Sequence, residues 1–178
     1  MRKLLVMWFV FSMSAQVEAH NVLKQVKATE IAKEYGCMIV NAVSEFGNAE
    51  ASPTYILAQM LKESTGNPRA VNKESGAVGL MQIKPSTAAY IRMLWPKHYF
   101  GPNLFDPSTN IRLAVAYRLY IADRYKEGVV YDDPPEVSIG YHLGPKGGEQ
   151  HVAHAYQHSY TNKIEDWGTY TPTILCTQ

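Results

Sequence analysis

Three prolines mark helix starts in the middle of this sequence, and they constrain the fold more than any other feature of the chain. They lie in the pairs Ser52-Pro53, Pro85-Ser86 and Asp106-Pro107. Proline is preorganised for the first turn of a helix, and serine is a good N-cap. Apolar residues at helical spacing follow each pair. The sequence therefore predicts three helices that begin at these positions.

The apolar pattern extends this prediction to a mainly helical single domain. Seven apolar residues lie at helical spacing between residues 28 and 46, with Gly36 as a candidate break. A glycine-rich loop follows the second helix, and its last part, Val78 to Ile83, is predicted to be extended. We thus expect one irregular or β excursion around residues 67–84. The predicted helices cover residues 28–46, 53 to about 65, 85 to about 94, 107 to about 125, 134–144 and 149–160.

The N-terminus has the pattern of an export signal. Two basic residues precede an apolar run, Leu4 to Phe11, which is about half the ~20 residues that a membrane-spanning helix needs. Val17-Glu18-Ala19 fits the small-residue rule for signal-peptidase cleavage. We expect residues 1–19 to be a signal peptide and residues 20–178 to form the exported domain. An uncleaved N-terminal anchor is the alternative.

Charge excludes one class of partner. The chain has 17 basic and 16 acidic residues, and the predicted signal peptide contains two of the former and one of the latter. The remaining chain is therefore formally neutral and lacks the basic excess typical of nucleic-acid-binding proteins. Since no other segment is long and apolar enough to span a bilayer, we expect no integral membrane segment after cleavage.

The two cysteines, Cys37 and Cys176, are interpreted as a disulfide, because an even pair in an exported chain is typical of one. Two unpaired thiols are the alternative. Neither cysteine has the spacing of a metal ligand. His151, His154 and His158 would share one helix face, but no acidic or cysteine partner stands at a matching spacing. A solvated or packed face is favoured there, so no metal and no cofactor are predicted.

Two glutamates in the central segment, Glu63 and Glu74, are candidates for catalysis. Glu63 is predicted to lie in the last turn of an apolar helix, where burial and the negative end of the helix dipole both disfavour a charged carboxyl. A carboxyl that stays protonated near neutral pH is what a glycosidase needs as its general acid. An exposed glutamate on a polar helix edge is the alternative for Glu63.

Three motifs in order resemble the lysozyme-like lytic transglycosylases. The first is Glu63-Ser64 followed by the residues GAVGLMQI at 76–83, and it is the most specific of the three. The second comprises Asn110-Ile111 and Tyr117, and the third is GYHLGP at residues 140–145, where the family usually has Ala-Tyr-Asn-Ala-Gly. The resemblance covers about residues 52–146 and leaves 147–178 as a helical tail. It implies a mainly α, lysozyme-like fold.

The resemblance also implies roles for individual residues. Glu63 occupies the position of the family's single catalytic acid and base. Gly79 would allow the backbone to approach the substrate, and Glu74 has no matched role. The implied substrate-binding residues are Ser75, Gly79, Met81, Gln82, Tyr117, Tyr141 and His142.

Two positions depart from the family pattern. His142 stands where an asparagine is usual, and Lys73 stands where relatives often have a serine, for which Ser75 or Asn72 could substitute. Aromatic residues could also offer sugar-stacking surfaces. Core packing is favoured for most of them, with Tyr117 as the exception that its motif supports. These aromatic residues are Trp95, Tyr99, Phe100, Tyr117, Tyr120 and Tyr125.

The resemblance implies a periplasmic enzyme that cleaves the β-1,4 bond between N-acetylmuramic acid and N-acetylglucosamine in peptidoglycan and forms a 1,6-anhydro end. The size of the chain suggests local wall opening for a pilus, conjugation or type III/IV secretion machine, whose proteins would be its partners. A goose-type lysozyme-like muramidase, which uses water, is one alternative. A non-enzymatic wall-binding or assembly module is the other.

Overall fold

The computed structural model of this protein describes residues 2–46, 52–126, 141, 163–164, 166–170, 172, 174 and 176. These residues include four long helices, so the mainly helical prediction is confirmed. Their bounds are α1 (Arg2–Phe46), α2 (Pro53–Ser64), α3 (Pro85–Leu94) and α4 (Pro107–Lys126). Helix α1 packs against α2 and α4, and α3 packs against α4. No helix in the described ranges has the length and apolar character needed to cross a membrane.

Helix α1 differs from its prediction at two points. It begins at Arg2 rather than near residue 28, and it continues through Gly36 without a break. A Cβ on Gly36 would lie 2.8 Å from Cγ2 of Ile174, so this glycine makes room for a C-terminal side chain. The predicted break is therefore wrong, because the glycine is explained by packing rather than by backbone conformation. Cleavage after Ala19 stays a prediction.

Helix α2 begins and ends as its local sequence predicts. The hydroxyl of Ser52 accepts a hydrogen bond of 3.1 Å from the backbone N–H of Tyr55, and Pro53 occupies the first turn. The chain leaves the helix through Thr65 and Gly66, which both have positive φ angles, 54° and 75°. A side chain at position 66 would collide with Ile31 of α1, so the end of α2 packs closely on α1.

The segment after α2 forms turns joined by two isolated β-bridges, Val71 with Val78 and Val78 with Ile83. The backbone groups of Val78 and Ile83 bond to each other at 3.1 and 3.0 Å, and residues 79–82 turn the chain between them. The predicted extended piece at 78–83 is therefore wrong. Gly79 and Gln82 have φ angles of 79° and 49°, which a strand cannot contain. We call residues 78–83 the site turn.

The C-terminal residues that are described pack against α1. The predicted disulfide between Cys37 and Cys176 is confirmed, with the two Cα atoms 5.1 Å apart. Lys24 forms an ion pair with Asp166, and the hydroxyl of Tyr170 bonds to the side chain of Asn21 at 2.9 Å. A bridge across 139 residues would stabilise the fold by about 4–5 kcal/mol at most.

The ends of α3 and α4 agree with prediction to within one residue. The predicted helices at 134–144 and 149–160 lie outside the described residues, except for Tyr141, which is helical. The three histidines at 151, 154 and 158 also lie outside them. The core joins the inner faces of all four helices with the site turn. Its fully buried members include Ile39, Leu57, Met60, Leu61, Leu80, Met81, Ile83, Ile91, Ile111, Leu113 and Ile121.

Candidate active site

Glu63 is the penultimate residue of α2 and is half-buried, as predicted from its place in the sequence. Its neighbour Ser64 connects the helix end to the site turn, because the Ser64 hydroxyl donates to the carbonyl of Leu80 at 2.7 Å. The same hydroxyl lies 3.3 Å from the carbonyl of Met60, within α2. The position of Glu63 is therefore coupled to the site turn through the next residue along the chain.

Tyr141 contributes a buried side chain to the site. Its side chain is 8% exposed, and its hydroxyl donates a 2.9 Å hydrogen bond to the backbone carbonyl of Met81. Burial raises the pKa of Tyr141 well above its ordinary value, and the negative charge of Glu63 raises it further. Tyr141 therefore remains a neutral hydrogen-bond donor at physiological pH, within the electrostatic range of Glu63.

Asn110, in the first turn of α4, holds the site turn through hydrogen bonds of its side chain. Its side chain is fully buried, and its oxygen accepts a 2.7 Å hydrogen bond from the backbone N–H of Met81. Its amide nitrogen donates to the carbonyls of Val78 (3.1 Å) and Leu104 (2.8 Å). Asn110 was predicted as part of a motif, without a role of its own. A polar side chain in the first turn of an apolar helix was the available signal.

Gly79 has an internal reason to lack a side chain. A Cβ there would lie 2.5 Å from the amide nitrogen of Asn110 and 2.7 Å from the carbonyl oxygen of Leu104. Its φ of 79° also favours glycine. The expected close approach to a substrate is therefore not needed to explain Gly79. Gly76 is exposed, and a Cβ on it would meet nothing within 4 Å, so only its φ of 70° favours glycine there.

Met81 and Gln82 were both expected to line a sugar cleft. The side chain of Met81 is fully buried in the core, so what this residue offers at the site is its backbone, which bonds to Asn110 and Tyr141. Gln82 is half-buried, and its amide nitrogen donates to the carbonyls of Gly79 (3.0 Å) and Ala70 (3.4 Å). These bonds leave the carbonyl oxygen of its side chain as the group available to a ligand.

Ser75 belongs to an exposed turn that Asn72 organises. The side-chain oxygen of Asn72 accepts hydrogen bonds from the backbone N–H groups of Glu74 (3.0 Å) and Ser75 (3.1 Å). The hydroxyl of Ser75 accepts from the N–H of Ala77 at 3.3 Å. Lys73 and Glu74 are exposed in this turn. Asn72 thus has a structural role. Ser75 is therefore the better candidate to replace the serine that relatives often have at the position of Lys73.

Tyr117 and Arg118 bring buried polar groups to the same region from α4. The rings of Tyr117 and Tyr141 lie 5.3 Å apart between centroids. The Arg118 side chain is 1% exposed, its guanidinium lies 4.3 Å from the centre of the Tyr55 ring, and it bonds to Gln59 at 3.4 Å. Its positive charge opposes the rise in the pKa of Tyr141. Arg118 was missed, although it stands on the apolar face of α4, seven residues after Ile111.

The remaining candidates divide between core, surface and undescribed positions. Phe100 is 2% exposed and Trp95 packs against the core, as favoured from the sequence, whereas Tyr99 is 80% exposed. His142 lies outside the described residues. Within the described part of the chain, no group of three histidine, cysteine or acidic side chains could hold a metal ion. The site therefore combines one half-buried carboxyl, a neutral tyrosine hydroxyl within its electrostatic range and a firmly held turn.

Comparison with known proteins shows which family this chain matches. Residues 43–165 match the family model described as "Transglycosylase SLT domain". The soluble lytic murein transglycosylase of Salmonella typhimurium is 34% identical over 98 residues, which are 54% of this chain and 14% of that protein. The endo-type membrane-bound lytic murein transglycosylase A of Klebsiella pneumoniae is 47% identical over 68 residues, or 36% and 33% of the two chains. The chain thus spans a small part of the first curated relatives it matches.

Solved structures agree on the fold. The 70 kDa soluble lytic transglycosylase of Escherichia coli superposes with a TM-score of 0.62 at 22% identity, over 76% of this chain and 24% of that one. A lytic transglycosylase Slt from Pseudomonas aeruginosa gives a TM-score of 0.61 at 18% identity, over 79% and 25%. At such identities the likeness concerns the fold alone, and it confirms the predicted lysozyme-like architecture.

Proposed function

Because this chain belongs to the family of the Transglycosylase SLT domain, we propose that it is a peptidoglycan lytic transglycosylase. It cleaves the β-1,4 bond between N-acetylmuramic acid and N-acetylglucosamine and leaves a 1,6-anhydro end. One observation carries this proposal beyond the family match. Glu63 is a half-buried carboxyl at the C-terminal end of a helix, within the electrostatic range of the buried Tyr141.

Glu63 would act first as an acid and then as a base. Protonated, it donates to the glycosidic oxygen as the bond to the muramic acid carbon breaks. Ionised by that step, it accepts the proton of the 6-hydroxyl of the same muramic acid, whose oxygen then bonds to that carbon. The ring closure is intramolecular and gains from proximity, so it needs neither a bound water nor a second carboxylate. Glu74, which is exposed, is not required in this scheme.

The site turn supplies the rigidity that such a reaction needs. Ser64, Asn110 and Tyr141 bond to the backbone of Leu80 and Met81 from three different parts of the chain. A site whose supporting side chains are fixed by packing and hydrogen bonds keeps its reacting groups in position. We therefore assign these three side chains to positioning, with Tyr141 also able to face a sugar.

The substrate contacts are proposed residue by residue. Gln82 offers its side-chain oxygen, Ser75 its hydroxyl, and Tyr117 and Tyr141 their rings. Met81 and Gly79 contribute through the shape of the backbone, since Met81 is buried and a side chain at Gly79 would collide with Asn110. His142 keeps its predicted role as a substrate-binding residue.

Export to the periplasm is also proposed, with removal of residues 1–19. Cleavage after Ala19 would keep Asn21 and Lys24, which hold Tyr170 and Asp166 in the fold. The predicted role in local wall opening for a pilus, conjugation or secretion machine remains part of this proposal. Its partners would be proteins of that machine.

Replacement of Glu63 tests the proposed function. Purified sacculi should be cleared by the wild type, and Glu63→Gln should slow clearing by at least about a hundredfold, because the side chain can no longer exchange a proton. Glu74→Gln is the matched control, since it changes an exposed glutamate eleven positions later and should clear sacculi like the wild type. Equal clearing by Glu63→Gln would contradict the proposed role of Glu63. No clearing by the wild type would contradict the proposed activity and favour a wall-binding module.

A further inference from the structure

Four tyrosines form a row of ring contacts that starts at the candidate active site. Tyr141 lies 5.3 Å from Tyr117 between ring centroids, and Tyr117 lies 6.4 Å from Tyr120 with nearly parallel planes. Tyr120 in turn meets Tyr90 of α3 edge to face at 5.3 Å. The hydroxyls of Tyr90 and Tyr120 are within hydrogen-bond distance, 3.2 Å. We call Tyr141, Tyr117, Tyr120 and Tyr90 the tyrosine row.

Exposure increases along the tyrosine row. Tyr141 and Tyr117 are 8% and 7% exposed, Tyr120 is half-buried, and Tyr90 is 40% exposed. The row therefore leads from the interior, within the electrostatic range of Glu63, to the protein surface at the face between α3 and α4. Successive ring contacts thus connect Tyr90, at the surface, to Tyr141 in the candidate site.

A second aromatic group in the same protein shows what packing alone produces. Phe46 and Phe100 stack at 5.8 Å, and Phe46 also meets Trp95 and His98. Phe100, one member of that group, is 2% exposed and has no hydroxyl. The tyrosine row differs, because every member has a hydroxyl and its outer ring is open to solvent. Core packing explains the inner two rings but not the open face of Tyr90.

The chemistry of the row suits a sugar polymer. A pyranose ring has apolar C–H faces and hydroxyl groups at its rim, and a tyrosine offers an apolar ring with a polar end. Contacts remote from the reacting bond hold a long substrate and contribute to positioning it at the catalytic group. An extended polysaccharide necessarily reaches beyond the single bond that Glu63 attacks.

We propose that Tyr90 and Tyr120 form an outer saccharide subsite, which binds sugar units of the same glycan strand beyond those held at Glu63. This inference rests on the proposed function for the identity of the ligand. The rings of Tyr90 and Tyr120 contact the sugar faces, and their paired hydroxyls bond to the sugar hydroxyls. Tyr90 is thus a determinant of substrate length rather than a catalytic residue.

The test compares two substrates and three variants. Long peptide-free glycan strands should reach from Glu63 to the outer subsite. A tetrasaccharide should occupy only the sugar positions next to Glu63. Tyr90→Ala should raise KM about tenfold on the long strands and leave kcat and the tetrasaccharide reaction unchanged, because an aromatic contact of this size is lost only there. Tyr90→Phe keeps the ring and should lie much nearer the wild type. Tyr99→Ala, which removes a tyrosine that is 80% exposed outside the row, should not change KM.

Binding measured without cleavage separates this proposal from the proposed function. In a Glu63→Gln background, the same long strands should bind about tenfold more weakly when Tyr90 is also replaced by alanine. Unequal binding supports the subsite even if the wild type proves inactive. Equal binding with and without Tyr90, or no binding of the strands at all, would overturn it. A Tyr90→Ala defect of equal size on both substrates would also overturn it, since that result indicates a general structural effect.

Discussion

Two side chains at the start of α4, Asn110 and Arg112, connect that helix to different regions by different physical means. Asn110 is fully buried and bonds to backbone groups of the site turn and of Leu104. Arg112 instead forms two charged hydrogen bonds to Glu45 at the end of α1, of 2.7 and 2.6 Å. His98 adds a contact of 2.9 Å to the same carboxylate. We call Glu45, His98 and Arg112 the charged cluster.

The site turn and the charged cluster differ in how strongly their stabilising contacts depend on pH and salt. Bonds between neutral groups in a dry interior depend little on pH or salt, and they cost most when one partner is removed. Exposed ion pairs are screened by salt and add little net stability. The site turn therefore rests on contacts that hold through changes of solution conditions, whereas the charged cluster fastens the outside of the fold in a way that conditions can tune.

Asn110→Ala should have the largest effect. It leaves the N–H of Met81 and the carbonyl of Leu104 without this partner, while the carbonyl of Val78 keeps only its bond from the N–H of Ile83. The free energy of unfolding should therefore fall by about 3–5 kcal/mol. Urea denaturation measures this. Asn103→Ala is the matched control, because Asn103 is exposed and makes one bond, to the N–H of Phe105, and it should cost about 1 kcal/mol or less. Equal losses from the two substitutions would contradict the central place of Asn110.

Ser64→Ala should separate activity from stability. It removes the bond to the carbonyl of Leu80 next to Glu63, so we expect a loss of about 1–2 kcal/mol in stability and about tenfold in kcat. Ser52→Ala, at the other end of α2, removes an N-cap and should cost about 1 kcal/mol without a change in kcat. If both variants lost activity equally, the effect of Ser64 would be that of helix stability alone.

Glu45→Gln should have the smallest effect and should depend on pH. The hydrogen bond from Arg112, together with His98, lowers the pKa of Glu45 to about 2, although burial opposes this. A lowered folded-state pKa means that the stabilisation is complete above the ordinary value of 4.5 and disappears as pH falls toward 2. Because Glu45 is exposed, the difference between wild type and variant should be only about 1 kcal/mol at neutral pH.

The stability difference between the wild type and Glu45→Gln should be measured as a function of salt and of pH. This difference should shrink in high salt and vanish near pH 2, while the effect of Asn110→Ala should change little with salt. A Glu45→Gln difference that is independent of both pH and salt would show that the charged cluster acts through packing instead.

Local signals and distant contacts explain which parts of the fold could be predicted. The starts of α2, α3 and α4 depend on proline and capping residues within a few positions, so they were readable from the sequence. The site turn was not, because its shape depends on Asn110 far along the chain and on a left-handed glutamine, Gln82, that no local rule predicts. The predicted helix break at Gly36 was wrong for a similar reason. The side chain of Ile174 fills the space where a side chain at position 36 would lie, and Ile174 is distant in sequence.

The candidate site shows the same division. The residues named by short motifs, Glu63, Tyr117 and Tyr141, lie together around the site turn, with Tyr117 and Tyr141 in ring contact. Residues that act by supporting others were harder to recognise. Asn110 was named without a role, and Arg118 was missed because a buried arginine is visible only once its neighbours Tyr55 and Gln59 are placed.

Mass spectrometry of the sugar products tests the proposed chemistry most directly. Peptidoglycan strands digested by the wild type should yield muramic acid ends that are lighter by one water than hydrolytic ends, because the 6-hydroxyl replaces water as the nucleophile. The same products should be absent from a digest with Glu63→Gln. A wild-type digest that contains only reducing ends would contradict the transglycosylase mechanism and identify the protein as a muramidase.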